Sequence, residues 1–210
     1  MIILGLTGSI GMGKSTTAKM LRRLHVPVHE ADWAVHDLMA KGGMAVAAIE
    51  AAFPGVTVSG AVDRKALGSR VFGNKLKLRQ LERILHPLVR RHTALWIRRQ
   101  YKKGYRMVVL DIPLLFEGGR ERGCDGVLVV SAPPSIQRRR VLKRPGMDEA
   151  RFRSILSHQM PDAQKRKRAD VVIPTGRGKA ATYAALRAAI SFYRQRRGHT
   201  WMPGWENLAP

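Results

Sequence analysis

The run Gly8-Ser9-Ile10-Gly11-Met12-Gly13-Lys14-Ser15 has the residue types and spacing needed to hold a polyphosphate. It fits G-x-x-x-x-G-K-[ST], and it stands between a short apolar run and a helical one, the context such a loop requires. Gly8, Gly11 and Gly13 let the chain turn tightly, so that successive backbone N–H groups, that of Met12 among them, point at phosphate oxygens. The partial positive charge of the helix N-terminus adds to this cradle. Lys14 is placed to reach the β- and γ-phosphates, the Ser15 hydroxyl to ligate Mg²⁺, and Thr16 to touch the α-phosphate. The motif points to ATP or another nucleoside triphosphate without naming the reaction. Asn74-Lys75 is followed by Leu76-Lys77 and so fails the N-K-x-D guanine motif of GTPases.

Two carboxylates stand where such a site needs them. Asp111 ends the apolar run Val108-Val109-Leu110, where a carboxylate holds Mg²⁺, often through water. Asp32 follows a second short strand and falls at the same carboxyl edge of a parallel sheet. Spacing alone leaves two readings of Asp32 open, the base for an attacking hydroxyl and the N-cap of a helix starting at Trp33. Arg140 and Arg144 are one helical turn apart, so they share a face that suits phosphate clamping or simple solvation. The histidines show no metal-ligand spacing, since His25 and His29 are separated by an extended Val26-Pro27-Val28.

Positioning these groups requires alternating strands and helices. Residues 2–7, 26–28, 106–111, 126–131 and 170–173 read as strands, and 14–25 as a helix. Residues 33–100 read as mostly helical, with Leu78, Leu81, Leu85, Leu88 and Leu95 at helical spacing. Pro87 is expected to kink or split that helix. Residues 135–169 read as charged and helical with a break at Pro145-Gly146. A last amphipathic helix runs from Thr182 to Arg197 on Tyr183, Leu186, Ile190 and Tyr193. Strands alternating with helices predict an α/β fold with a parallel sheet covered on both faces. The 210 residues suffice for one such domain with a helical insertion.

The 38 Lys and Arg against 15 Asp and Glu give a formal charge of +23, a field that attracts polyanions. The basic pairs are scattered and no aromatics interleave with them as base-stacking would need, so nucleic acid is not the expected partner. No apolar run approaches a membrane span. The start, Met1-Ile2-Ile3-Leu4-Gly5, lacks a secretory pattern, and the single Cys124 suits a reducing cytoplasm.

Taken together, the residues resemble one family, the dephospho-CoA kinases. Leu6 to Thr16 resembles that family's L-T-G-G-I-G-S-G-K-S-T opening, and Ala31-Asp32 the end of its D-A-D. Val62-Asp63-Arg64, Leu67, Val71-Phe72, Leu81-Glu82 and His86-Pro87 are similar to its D-R-x-x-L…V-F…L-E…H-P series. Asp111-Ile112-Pro113-Leu114-Leu115-Phe116-Glu117 resembles its P-L-L-F-E signature, and Gln137, Arg140 and Arg144 its Q-x-x-R-x-x-x-R. Gln159, Lys165 and Ala169-Asp170 follow at the family's intervals. The likeness runs from residue 2 to about 178.

The resemblance implies a P-loop kinase fold with a five-stranded parallel core made of residues 1–33, 101–137 and 170–197. It implies a helical acceptor-binding domain at 34–100 and a lid at 138–169, with a tail of unassigned role at 198–210. The implied reaction transfers the ATP γ-phosphoryl group to the ribose 3′-hydroxyl of dephospho-CoA, the last step of coenzyme A synthesis. In that scheme Asp32 is the base, Lys14 and Arg140 act on the transferring phosphoryl group, and Arg144 contacts phosphate. His86, Leu114, Phe116 and Glu117 lie by the acceptor, while Ser15 and Asp111 hold Mg²⁺. A cytoplasmic location is expected; the oligomeric state is left open, with a monomer favoured. Glu30 replaces the first Asp of D-A-D, and Pro174-Thr175-Gly176 stands where the family often has an Asn near the adenine. Ser9 replaces a Gly, which requires a negative φ there. The alternatives are another small-metabolite or nucleotide kinase on this fold and, from a different class, a basic nucleic-acid-binding ATPase.

Overall fold

A computed structural model describes residues 1–200. In chain order the elements are β1 (Ile2–Thr7), α1 (Lys14–Arg23), β2 (Val28–Glu30), α2 (Ala31–Met39), α3 (Val46–Ala52), β3 (Thr57–Val58) and β4 (Ala61–Val62). They continue with α4 (Arg64–Val71), α5 (Lys75–Lys102), β5 (Met107–Asp111), β6 (Gly126–Ser131) and α6 (Pro134–Leu142). The last are α7 (Glu149–Ser157), α8 (Asp162–Arg168), β7 (Val171–Pro174) and α9 (Lys179–Arg194). The described residues divide into two compact units, one of Met1–Val28 with residues 100–200, the other of His29–Arg99.

The first unit carries a five-stranded parallel sheet in the order β2-β5-β1-β6-β7. β1 is buried along its whole length because it is central, which is why Ile2-Ile3-Leu4-Gly5-Leu6-Thr7 reads as a continuous apolar run. Leu4, Leu6, Leu128, Val130 and Ile173 of the sheet pack with Leu21 of α1 and Leu186 and Ile190 of α9. On the other face Leu115, Phe116, Val127 and Val129 form a second cluster that takes in Met160 and Cys124. Burial pushes the Cys124 thiol up to about 12, with the nearby carboxylates adding to it, so it stays an unreactive thiol. The tail begins tethered, because Asp125 accepts bonds from the His199 and Thr200 amides and the Thr200 hydroxyl. Trp201 and Trp205 lie outside the described residues.

Three sequence expectations are corrected here. β2 starts at Val28 and not at Val26, because Pro27 has no N–H to give a ladder. Its carbonyl instead accepts from Val109 N at 2.9 Å. Arg144 is not on the same helix as Arg140. Helix α6 ends at Leu142, since the residue before Pro145 is disfavoured in helical geometry. Pro87 does not split its helix, as α5 runs unbroken over 28 residues. Both Pro87 and Arg83, whose carbonyl loses its i+4 donor, are on the exposed side, where water satisfies that carbonyl.

The second unit is built on Leu38, Ile49, Phe53, Val62, Leu67 and Val89. It also contains a β3–β4 hairpin that the helical reading of 33–100 missed. Ser59 and Gly60 both have positive φ (52° and 80°), as a two-residue hairpin turn demands. His29 is 3% exposed and meets the Trp96 ring edge-on, with centroids 5.1 Å apart. Its Nε2 lies 3.2 Å from His92 Nδ1. Burial lowers its pKa from 6.5 to about 4, helped by His92 and opposed by Glu30.

The folded value lies below the unfolded one, so the unfolded chain binds the proton more readily between them. The imidazole's contribution is therefore complete above about pH 6.5 and is lost as pH falls towards 4. Lowering the pH from 7.5 to 5 should cost about 2 kcal/mol in urea unfolding through this group alone. His29→Leu should flatten that part of the profile. An unchanged slope in the variant would assign the acid sensitivity elsewhere.

Candidate active site

The phosphate-binding loop begins where β1 ends, and its shape follows from what it touches. A Cβ on Gly8 would lie 2.3 Å from Val130 Cγ2 and 2.7 Å from Val130 O, so only glycine lets β1 leave the sheet beside β6. Gly11 has φ +77°, and a Cβ there would meet Val141 Cγ2 at 2.6 Å. Ser9 has no positive φ and is buried, so the serine fits where the family has glycine. Met12 turns its side chain inward, 2% exposed, with its sulfur accepting from Ala132 N at 3.1 Å. Gly13, at φ +94°, precedes α1 with no side chain capping the helix, and no acidic residue lies in its first turn. The Lys14, Ser15 and Thr16 amides thus sit at the positive end of α1, and Ser15 and Thr16 are exposed.

Lys14 Nζ lies 2.5 Å from Asp111 Oδ1, and the Asp111 side chain is 4% exposed. Leu6 is in register with Asp111, so the P-loop lysine and the strand-end carboxylate meet at the shared carboxyl edge of β1 and β5. Ser15 and Asp111 offer hard oxygen ligands, and no group of three or more His, Cys, Asp or Glu gathers around a common point among the described residues. A cation at these two oxygens would need its remaining ligands from phosphate and water, a donor set that fits Mg²⁺.

Arg140 is half-buried and is wedged against the loop. It donates to Thr175 O at 2.7 Å, Thr175 Oγ1 at 3.2 Å and Gly11 O at 3.4 Å. Thr175, 6% exposed, passes its own hydroxyl proton to Met12 O at 2.6 Å. Thr175 thus stitches the P-loop to the end of β7. Arg144 is exposed in the turn after α6.

Two glutamines grip one residue of the loop, each through the peptide on one side of it. Gln137 Nε2 donates to Ile10 O at 2.8 Å, and Ile10 N–H donates to Gln159 Oε1 at 3.0 Å. The sequence reading attached no role to either. Their signal was only their spacing from Arg140 and Lys165, because the bonds span 127 and 149 residues.

The Leu114–Glu117 stretch divides by direction. Leu114 is exposed, whereas Leu115 and Phe116 are 0% and 4% exposed. Arg168 covers the Phe116 ring with its guanidinium carbon 4.6 Å from the centroid. Glu117 Oε1 accepts from Met160 N at 2.7 Å and lies 2.9 Å from the fully buried Lys165 ammonium. Burial acts to raise the Glu117 pKa, but Lys165 and the Met160 amide outweigh it and hold the carboxyl below its ordinary value.

The second unit holds Asp32 and His86. Glu30 is the residue preceding α2, so Asp32 is inside the first turn and is not its N-cap. Its side chain is exposed, as is His86 midway along α5.

The family model described as dephospho-CoA kinase matches residues 2–179. The chain belongs to the dephospho-CoA kinase family. A dephospho-CoA kinase of Rhodospirillum rubrum is 54% identical over 194 residues, covering 92% of each chain. One from Paramagnetospirillum magneticum is 61% identical over 166 residues, 79% of this chain and 78% of that one. A crystal structure from Thermus thermophilus superposes with TM-score 0.77 at 36% identity, covering 91% of this chain and 97% of that one. Family membership accounts for the P-loop, for Asp111 to Glu117 and for His86-Pro87 within one framework. No helix among the described residues is long and apolar enough to cross a membrane.

Proposed function

We propose that the chain transfers the γ-phosphoryl group of ATP to the ribose 3′-hydroxyl of dephospho-CoA, forming coenzyme A and ADP. The observation that carries this reading is the Lys14–Asp111 pair beside the exposed Ser15 and Thr16, within a chain of this family. A loose phosphoryl-transfer transition state leaves little covalent work for the protein, so positioning and charge dominate. Backbone amides of the P-loop hold the donor phosphates, and Lys14 neutralises charge as it develops on them. Arg140 spends three N–H groups on loop carbonyls and Thr175, leaving its Nε–H and one Nη2–H for a phosphate oxygen. Arg144, exposed after α6, adds a second guanidinium. Asp32 accepts the proton of the attacking hydroxyl and aims it. Ser15 and Asp111 are the residues that would hold Mg²⁺, which would supply charge to offset that of the donor phosphates.

Leu114 and His86, both exposed, are assigned to the acceptor, whereas Phe116 and Glu117 support that stretch from behind. Residues 34–100 serve as the acceptor-binding domain and 138–169 as the lid, in a monomeric cytoplasmic enzyme. The test is coupled ATP consumption with dephospho-CoA offered against adenosine, AMP and pantothenate. Turnover with dephospho-CoA and one added phosphate on its ribose, read by mass spectrometry, is the expected result. Efficient use of another acceptor with none of dephospho-CoA would overturn it.

A further inference from the structure

The Lys165 ammonium is wholly buried, and its partner is the Glu117 carboxylate at 2.9 Å. An ammonium buried behind one carboxylate is a poor device for stability, because desolvation consumes most of the attraction. What it does is hold Glu117 Oε1 in place, and that same oxygen accepts from Met160 N at 2.7 Å. The neighbour of Met160 is Gln159, whose Oε1 takes the Ile10 N–H at 3.0 Å. On the other side of the same residue, Gln137 donates to Ile10 O at 2.8 Å. The two amides have opposite orientation, each set by the backbone group it faces. The Ile10 N–H belongs to the Ser9–Ile10 peptide and the Ile10 C=O to the Ile10–Gly11 peptide, so both planes flanking the Ile10 Cα are held. The second of them carries the Gly11 amide, from which the loop runs on to Ser15.

We infer that Gln159 is a positioning residue for the donor site. It acts through the Ser9–Ile10 peptide of the P-loop and is itself held, through its neighbour Met160, by the Glu117–Lys165 pair, so the stretch carrying Leu114 is mechanically joined to the loop that holds ATP. The inference deepens the proposed function and rests on its assignment of the P-loop to ATP. Gln159 and Lys165 touch neither substrate in this scheme. Their loss should appear as loosened ATP binding without loss of folding.

The experiment is calorimetric titration of ATP·Mg²⁺ into the purified full chain without acceptor, with a thermal melt of each preparation. Gln159→Leu should weaken ATP about tenfold, the effect of leaving one backbone donor without its partner. Lys165→Met places an apolar chain of similar length in the buried site. The change strands the Glu117 carboxylate and should lower the melting temperature; adding Glu117→Gln removes that charge and should restore the melt while ATP stays about threefold weaker, a split that a merely structural lysine would not produce. Because Lys165 acts through Gln159, the Gln159→Leu/Lys165→Met double variant should bind ATP as Gln159→Leu does. Parent-like ATP affinity in either single variant, or losses that multiply to about thirtyfold in the double, would overturn the inference. A chain that binds ATP but leaves dephospho-CoA untouched would remove the proposed reaction and leave this inference standing.

Discussion

Asp32→Asn is expected to lower turnover by about 10²-fold or more while ATP affinity and melting temperature stay near those of the parent. Asparagine keeps the shape and the hydrogen-bonding reach but cannot take a proton. The structure removes the main rival explanation, because the residue at the N-cap position of α2 is Glu30 and Asp32 lies inside the first turn. Its carboxylate is exposed, so the fold loses only its favourable interaction with the helix N-terminus, about 0.3–1 kcal/mol. Single-turnover rates, an ATP titration and a melt on one preparation separate these quantities. Near-normal turnover in the folded variant would make Asp32 a solvated helix residue and send the search for the base elsewhere.

Lys14→Met should show two losses with different origins. Turnover should fall by about 10²–10³, because a charge-stabilising donor aimed at the transferring group is gone. Stability should also fall, by about 3 kcal/mol, since the buried Asp111 carboxylate loses its 2.5 Å counter-ion. The second loss can be reversed without the first. In Lys14→Met/Asp111→Asn the carboxylate charge is removed too, so the melting temperature should recover while turnover stays low. Recovery of both would mean that Lys14 serves the fold alone. Recovery of neither would mean that the strand-end carboxylate is needed at that position whatever its partner.

Local chemistry is what the sequence displayed most clearly. A glycine-rich octet ending in Lys14-Ser15 needs only a strand before it and a helix after it, and both are written in the neighbouring residues. β1, β5 and β6 were readable because a central parallel strand is buried on both faces and must be apolar throughout. Small structural accents were harder to read. Pro27 displaced β2, Pro145 ended α6 early, and the Ser59-Gly60 turn made a hairpin inside a stretch that looked helical. In each case one residue's backbone restriction outweighed the average preference of its surroundings.

The sequence by itself thus determined the α/β class, the phosphate-binding loop, the candidate carboxylates Asp32 and Asp111, and the family. Each depends on residues within a few positions of one another or on a motif read in order. Tertiary structure alone decided that Lys14 pairs with Asp111, that Thr175 and Arg140 brace Gly11 and Met12, and that Gln137 and Gln159 hold the peptides on either side of Ile10. It also decided that Phe116 and Glu117 turn inward while Leu114 stays outside. These contacts join residues that lie roughly 40 to 160 positions apart in the chain. Their energies depend on burial and on hydrogen-bond geometry, which arise only when the sheet brings its carboxyl edge together, so no local pattern of residue types encodes them.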